Sequence, residues 1–187
     1  MENNQNTIAS LGPGIRVKTL INLRWVAALG QIITCIVVGY FFGFQLPWLE
    51  LLLTIFALVI SNLILYPLYS TKNRLSETST TFVIAGDIVQ LALLIFFTGG
   101  LANPFVVLFI TPIAITVTSL PIKSTSILIT LTIIFITILG YVNYPLVNNA
   151  INLSSPPIFI LGMWVSLFVT ILFLTFYAGG LTDESRK

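Results

Sequence analysis

Between residues 25 and 181 the sequence divides into six apolar runs, 25–46, 49–70, 82–98, 105–122, 125–144 and 157–181, separated by short breaks. Nothing else in it constrains the fold so strongly. A helix of about 20 apolar residues matches the ~30 Å hydrocarbon core of a bilayer, where every backbone N–H and C=O must pair within the protein. Only 7% of residues are charged and the mean hydropathy is +1.04, so the chain carries more apolar surface than a water-soluble domain can bury. The expected fold is an all-α membrane protein with six transmembrane helices. The breaks carry turn chemistry: Pro47, "STKNRLSETST", "TGGLANPF", "LPIKS" and "NYPLVNNAINLSSPP". Residues 1–24 read as an N-terminal segment, 25–181 as one membrane domain, and 182–187 as the start of a linker. The opening "MENNQNTIASLGPGIRVKTLINLRW" shows no small-residue cleavage site, so a retained first span starting at Trp25 is expected.

The cations orient the spans. Arg16, Lys18 and Arg24 precede the first run, Lys72 and Arg74 join the second to the third, Lys123 joins the fourth to the fifth, and Arg186 and Lys187 follow the sixth. In a six-span arrangement all eight lie on one face, which places both termini in the cytoplasm and "TGGLANPF" outside. Trp25, Tyr66, Tyr69 and Tyr177 fall near the inner interface, and Trp48, Tyr141 and Tyr144 near the outer. The net charge of +2 gives no case for nucleic acid. Histidine is absent and Cys35 is the only cysteine, which removes the commonest general base, any phospho-accepting histidine and paired metal-ligand spacing. No catalytic residue and no metal site is expected.

Asp87 is the one acidic residue well inside a run, about 7–8 Å past the start of the third at ~1.5 Å per residue. A carboxylate there costs about 2–3 kcal/mol or more unless it is neutral, paired or hydrated, so it should face protein. Gln90 follows three residues on, and depth counting brings Gln31 and Asn62 to the same third of the bilayer, with Thr116 and Thr118 close by. This cluster reads either as a relay or as interhelical glue, and with Arg24 assigned to the flank Asp87 has no basic partner in the membrane. Glu50 reads as a solvated interfacial charge. Gly39 and Gly43 have the G-x-x-x-G spacing of a close helix contact.

In "TGGLANPF", Gly99 or Gly100 suits the left-handed residue that ends a helix, with Leu101 folding back as its apolar contact. Asn103 is a favoured N-cap and Pro104 a favoured first helical residue. The same turn exposes backbone N–H groups, points a helix N-terminus at the loop, leaves the Asn103 amide able to donate outward, and adds the Phe105 ring. A flat ring with carbonyl acceptors and a lipid tail, such as a quinone, suits that surface, and so does a lipid headgroup.

"LRWVAALGQ" at 23–31, "DIVQLALL" at 87–94, "TGGLANPF" at 98–105 and "TPIAITVTSLPI" at 111–122 together resemble the RegB/PrrB/ActS group of redox-sensing histidine kinases over essentially the whole chain. The G-G-x-x-N-P-F element is the most specific of these. The resemblance implies a six-helix sensor region of a two-component kinase in a bacterial inner membrane, with ubiquinone as ligand at the external loop between helices 3 and 4. Carried over, the quinone-associated positions are Gly99, Gly100, Asn103, Pro104 and Phe105. A homodimer and a cytoplasmic response regulator are the implied protein partners, alongside membrane lipid, and ATP would be used only in kinase domains beyond residue 187. Cys35 does not match the family's redox-active linker cysteine. Two rival classes share the polar cluster: a small transporter or half-transporter, and a scaffold or assembly subunit of a respiratory complex.

Overall fold

A computed structural model of the chain describes residues 17–71, 75–148 and 155–184. Helix α1 (Val17–Ile36) continues through a π-helical turn (Val37–Phe41) and is followed by α2 (Trp48–Thr71) and α3 (Glu77–Phe96). Two 3-10 segments, Gly100–Ala102 and Pro104–Phe109, lead into α4 (Ile110–Ser119), then α5 (Ile122–Tyr141) and α6 (Pro157–Glu184). Among the described residues there is no strand, only an isolated antiparallel bridge from Gln45 to Val147.

Five helices are long and apolar enough to cross a bilayer: Val17–Phe41, Trp48–Pro67, Glu77–Phe96, Ile122–Tyr141 and Pro157–Tyr177. The fourth apolar run forms a shorter helix, Pro104–Ser119. Its first six residues are 3-10 and its last ten α-helical. At ~2.0 and ~1.5 Å per residue these reach about 27 Å.

The first helix begins eight residues before Trp25, which corrects the expected boundary. Its buried positions Val17, Leu20, Ile21, Arg24, Ala28, Gln31 and Cys35 recur at three- and four-residue steps, the spacing of one helix face. That seam, rather than overall hydropathy, carries the helix back to Val17. Arg24 is therefore a residue of the helix interior and not of its flank. The third helix likewise starts before its apolar run, because Ser76 caps it by accepting from the Ser79 N–H at 3.2 Å. Residues 1–16, 72–74, 149–154 and 185–187 lie outside the described residues, and with them most of the cations used to orient the chain.

Helix α1 packs on α2; α3 packs on α5 and α2; α4 packs on α6 and α5. Of the five long helices α3 is the most buried and α6 the least. The main core gathers Ile84, Ile88 and Ile95 of α3 with Leu128 and Ile136 of α5, Ile113 of α4 and Ile171 of α6. A second cluster, Cys35, Leu46, Leu51, Ile55 and Leu94, closes the far end of α1 and α2. Val26, Leu29, Ile33, Leu49, Phe82 and Phe176 are among the many exposed apolar side chains. On a membrane-spanning bundle such a surface faces lipid.

The connections after α1 and α5 meet at this end. Gln45 N–H donates to Val147 O at 2.9 Å, Asn148 Nδ2 to Phe42 O at 2.7 Å, and Tyr144 N–H to Phe96 O at 2.9 Å. Gly39 is used here within the chain: a Cβ on it would come 2.5 Å from Trp48 Cζ2. Gly43 has φ +69° just past the π-helical turn. Gly39 thus packs against Trp48 within the chain, and Gly43 turns the backbone beyond the helix.

Candidate functional site: a cleft between α1 and α4

The backbones of α1 and α3 stay apart, and long polar side chains bridge them. The space so held open is a cleft of about 610 Å³, walled by α1 on one side and by the 3-10/α4 segment on the other, with α3 as its floor. Both stretches singled out in the sequence line it. Asp87, Gln31 and Gln90 face it along its length, and Asn103, Pro104 and Phe105 close one end.

At the opposite end Arg24, only 7% exposed, places Nη2 2.8 Å from Asp87 Oδ1. The same nitrogen donates to Ser61 Oγ of α2 at 2.7 Å, and Ser61 passes its own hydrogen to Leu58 O at 2.8 Å. Asp87 therefore does have a basic partner, contrary to the expectation. The reason is the earlier start of α1, which carries Arg24 into the bundle to the level of Asp87. The two side chains meet at ion-pair distance, while Arg24 Nε and Nη1 are buried with no acceptor. A buried pair of this kind adds little net stability, yet removing one partner strands the other charge.

In the middle Gln31 and Gln90 exchange hydrogen bonds, Nε2 of each donating to Oε1 of the other at 3.3 and 3.0 Å. Both are 9% exposed. This reciprocal pair ties α1 to α3. Asn62 does not join them: its Nδ2 donates to Ile21 O at 3.2 Å and ties α2 to α1 outside the cleft. Thr116 is buried with its hydroxyl donated to Pro112 O at 2.7 Å, and exposed Thr118 donates to Ala114 O at 3.0 Å. The two hydroxyls act within α4.

The loop end is built by its own turn chemistry. Gly99 has φ +102° and Gly100 φ +60°, the left-handed region open to glycine. Gly100 is also hemmed in: a Cβ there would come 2.6 Å from Asn143 Cβ and 2.7 Å from Leu139 O. Neither glycine lines the cleft. Leu101 folds back and is fully buried. Asn103 Oδ1 accepts from Phe105 N–H at 2.8 Å, the expected N-cap. Its Nδ2, however, donates to Thr98 O at 3.1 Å and Thr98 Oγ1 at 2.6 Å. The amide expected to point outward is turned inward, because the end of α3 lies within its reach and offers two acceptors.

Phe42, Phe44 and Leu146 complete this end, and Thr34 of α1 and Thr111 of α4 face the cleft further in. Sequence reasoning missed all five. Phe42 and Phe44 fall at the end of the first apolar run and Leu146 in the connection after α5, and only the 42–47 and 142–148 contacts bring them together. Helical spacing from Gln31 offered a signal for Thr34, since three residues on returns close to the same face. Among the described residues there is no grouping of three or more metal-ligating side chains.

No protein-family model matches the chain, and no solved structure matches it. It is 34% identical over 173 residues to the sensor histidine kinase RegB of Cereibacter sphaeroides, covering 92% of this chain and 37% of that relative. A second RegB sequence from the same species is 34% identical over 177 residues, covering 94% of this chain and 38% of the relative. The chain thus spans less than two-fifths of the length of the curated relatives it matches.

Proposed function

The chain is a RegB-family sensor region, and from that premise we propose that it forms the membrane sensor of a histidine kinase that takes ubiquinone as a ligand in the α1–α4 cleft. The observation that carries this reading is the continuity of the cleft, which runs from the Arg24–Asp87 pair to Asn103, Pro104 and Phe105. Such a shape, apolar along its length with a few convergent polar groups, suits a ring with a lipid tail. Gly99 and Gly100 support the loop and do not touch the ligand.

Ubiquinone acts here as a ligand and is not transformed. A signal requires the oxidised and reduced forms to differ in affinity for two packings of the helices. Helix α4 walls the cleft and packs on α6, which runs to the C-terminal end of the described chain. Occupancy that moves α4 is thereby passed to α6 and onward to kinase domains outside this sequence, which would use ATP and address a response regulator. The reading also takes the chain as a homodimer in a bacterial inner membrane, with both termini in the cytoplasm. The cation distribution supports that orientation, with Arg24 removed from the flank and seven cations remaining.

The test is saturable binding of ubiquinone by the purified chain in lipid nanodiscs. Wild type is expected to bind, with weaker binding by Phe105→Ala and by Asn103→Ala, which releases the loop from Thr98. No saturable binding by wild type, or undiminished binding by both variants, overturns the proposal.

A further inference from the structure

We infer that the ubiquinone carbonyls are held at mid-cleft, by the hydroxyls of Thr34 and Thr111 and the amide pair Gln31–Gln90, and not by the "NPF" loop. This rests on the reading that the cleft holds ubiquinone, and it follows from an inventory of the donors that face the cleft.

The loop end has none to offer from its signature residues. Both amide hydrogens of Asn103 go to Thr98. Pro104 has no N–H, and the N–H of Phe105 is held by Asn103 Oδ1. Thr98 Oγ1 donates to Leu94 O at 2.8 Å. At the other end Arg24 Nη2 is engaged by Asp87 and Ser61, while Nε and Nη1, though unpaired, are covered by protein and present no surface to the cleft.

The middle differs. Thr34 and Thr111 line the cleft and make no hydrogen bond among the described residues. Threonine hydroxyls inside helices commonly fold back on a carbonyl one turn earlier, as Thr54, Thr98, Thr116 and Thr132 do. These two leave their hydrogens available to a ligand. A primary amide has two N–H groups and an oxygen with two lone pairs, so the reciprocal Gln31–Gln90 pair leaves one hydrogen on each. Thr34 sits one turn along α1 from Gln31, and Thr111 lines the same cleft from α4. Gly30, beside Gln31, has nothing within 4 Å of where a Cβ would stand, so the wall is recessed at this level.

Size fits an occupant longer than its ring. The cleft of about 610 Å³ is roughly four times the ~150 Å³ cavity that accommodates a benzene ring. The ring takes the polar mid-section, and the isoprenoid chain fills apolar walls formed by Leu23, Ala27, Leu108 and Ile115.

The experiment is isotope-edited infrared spectroscopy of carbonyl-labelled ubiquinone bound to the chain in nanodiscs, with affinities measured in parallel. Hydrogen bonding lowers the carbonyl stretching frequency, a readout that a change in fold alone would not reproduce. In Thr34→Val/Thr111→Val the band is expected to return toward its unbonded position and the Kd to rise about tenfold. Thr111→Ser keeps a hydroxyl and is expected to keep band and affinity. Unchanged melting of the valine variants is expected, because neither hydroxyl has a protein partner. A bound band that ignores the two valines and moves instead in Asn103→Ala overturns this placement while leaving ubiquinone binding intact. No binding by wild type overturns the cleft reading and this inference together.

Discussion

Helix α3 has two faces that solve packing in opposite ways. Toward α5 it presents Ile84, Ile88 and Ile95 to Leu128 and Ile136, all essentially without exposed surface, and one polar link, Ser124 Oγ to Glu77 Oε1 at 2.7 Å, at its start. Toward α1 it presents Asp87 and Gln90, which reach Arg24 and Gln31 across a gap. Where lipid is as apolar as the helices, close van der Waals packing and interhelical hydrogen bonds supply the association. The α5 face relies on the first and leaves no room. The α1 face relies on the second, and polar side chains of fixed length act as spacers that keep a cleft open.

Removing one spacer charge should have the largest effect. Asp87→Ala leaves the Arg24 guanidinium buried and uncompensated, and a loss of about 3–5 kcal/mol is expected in unfolding of the detergent-solubilised chain. A loss below about 1 kcal/mol would mean that the two faces of α3 do not differ as described. On the dry face, Ile136→Ala should cost about 2 kcal/mol by opening a cavity, while ubiquinone affinity stays at the wild-type value. Weakened binding in that variant would show that the faces are coupled. At the loop end, Gly100→Ala should cost about 1–2 kcal/mol from its φ of +60° alone, with the contacts to Asn143 and Leu139 O adding to it. Gly30→Ala, in open space on the cleft wall, should instead raise stability by up to about 1 kcal/mol. A comparably small effect is expected of the Gln31–Gln90 coupling: a double-mutant cycle with leucine at each position should give about 0.6–1.7 kcal/mol, read by the same unfolding measurement. A coupling of zero would remove the amide bridge from the account of the cleft.

The turn in "TGGLANPF" was legible residue by residue. Left-handed glycine, folded-back Leu101 and the Asn103 cap are local consequences of side-chain size and hydrogen-bonding reach, and each is found where the sequence puts it. The direction of the Asn103 amide was not legible, because its acceptor belongs to the geometry of the α3 end. Arg24 was misplaced for a related reason. Hydropathy locates the apolar middle of a helix but not its start, and the buried seam from Val17 to Cys35 crosses polar positions that a hydropathy window treats as flank.

By itself the amino-acid sequence determined an all-helical membrane chain, the order of its apolar segments, and the caps and glycines of its tightest turn. These follow from periodicity, segment length and contacts between near neighbours. Only the tertiary structure decided that Arg24 meets Asp87, that Gln31 meets Gln90, that Asn62 turns to α2's other contact, and that a cleft joins these pairs to Phe105. In a helix that is apolar on nearly every side, the faces toward lipid and toward protein look alike in sequence. Which of them meet is settled when all the helices pack at once.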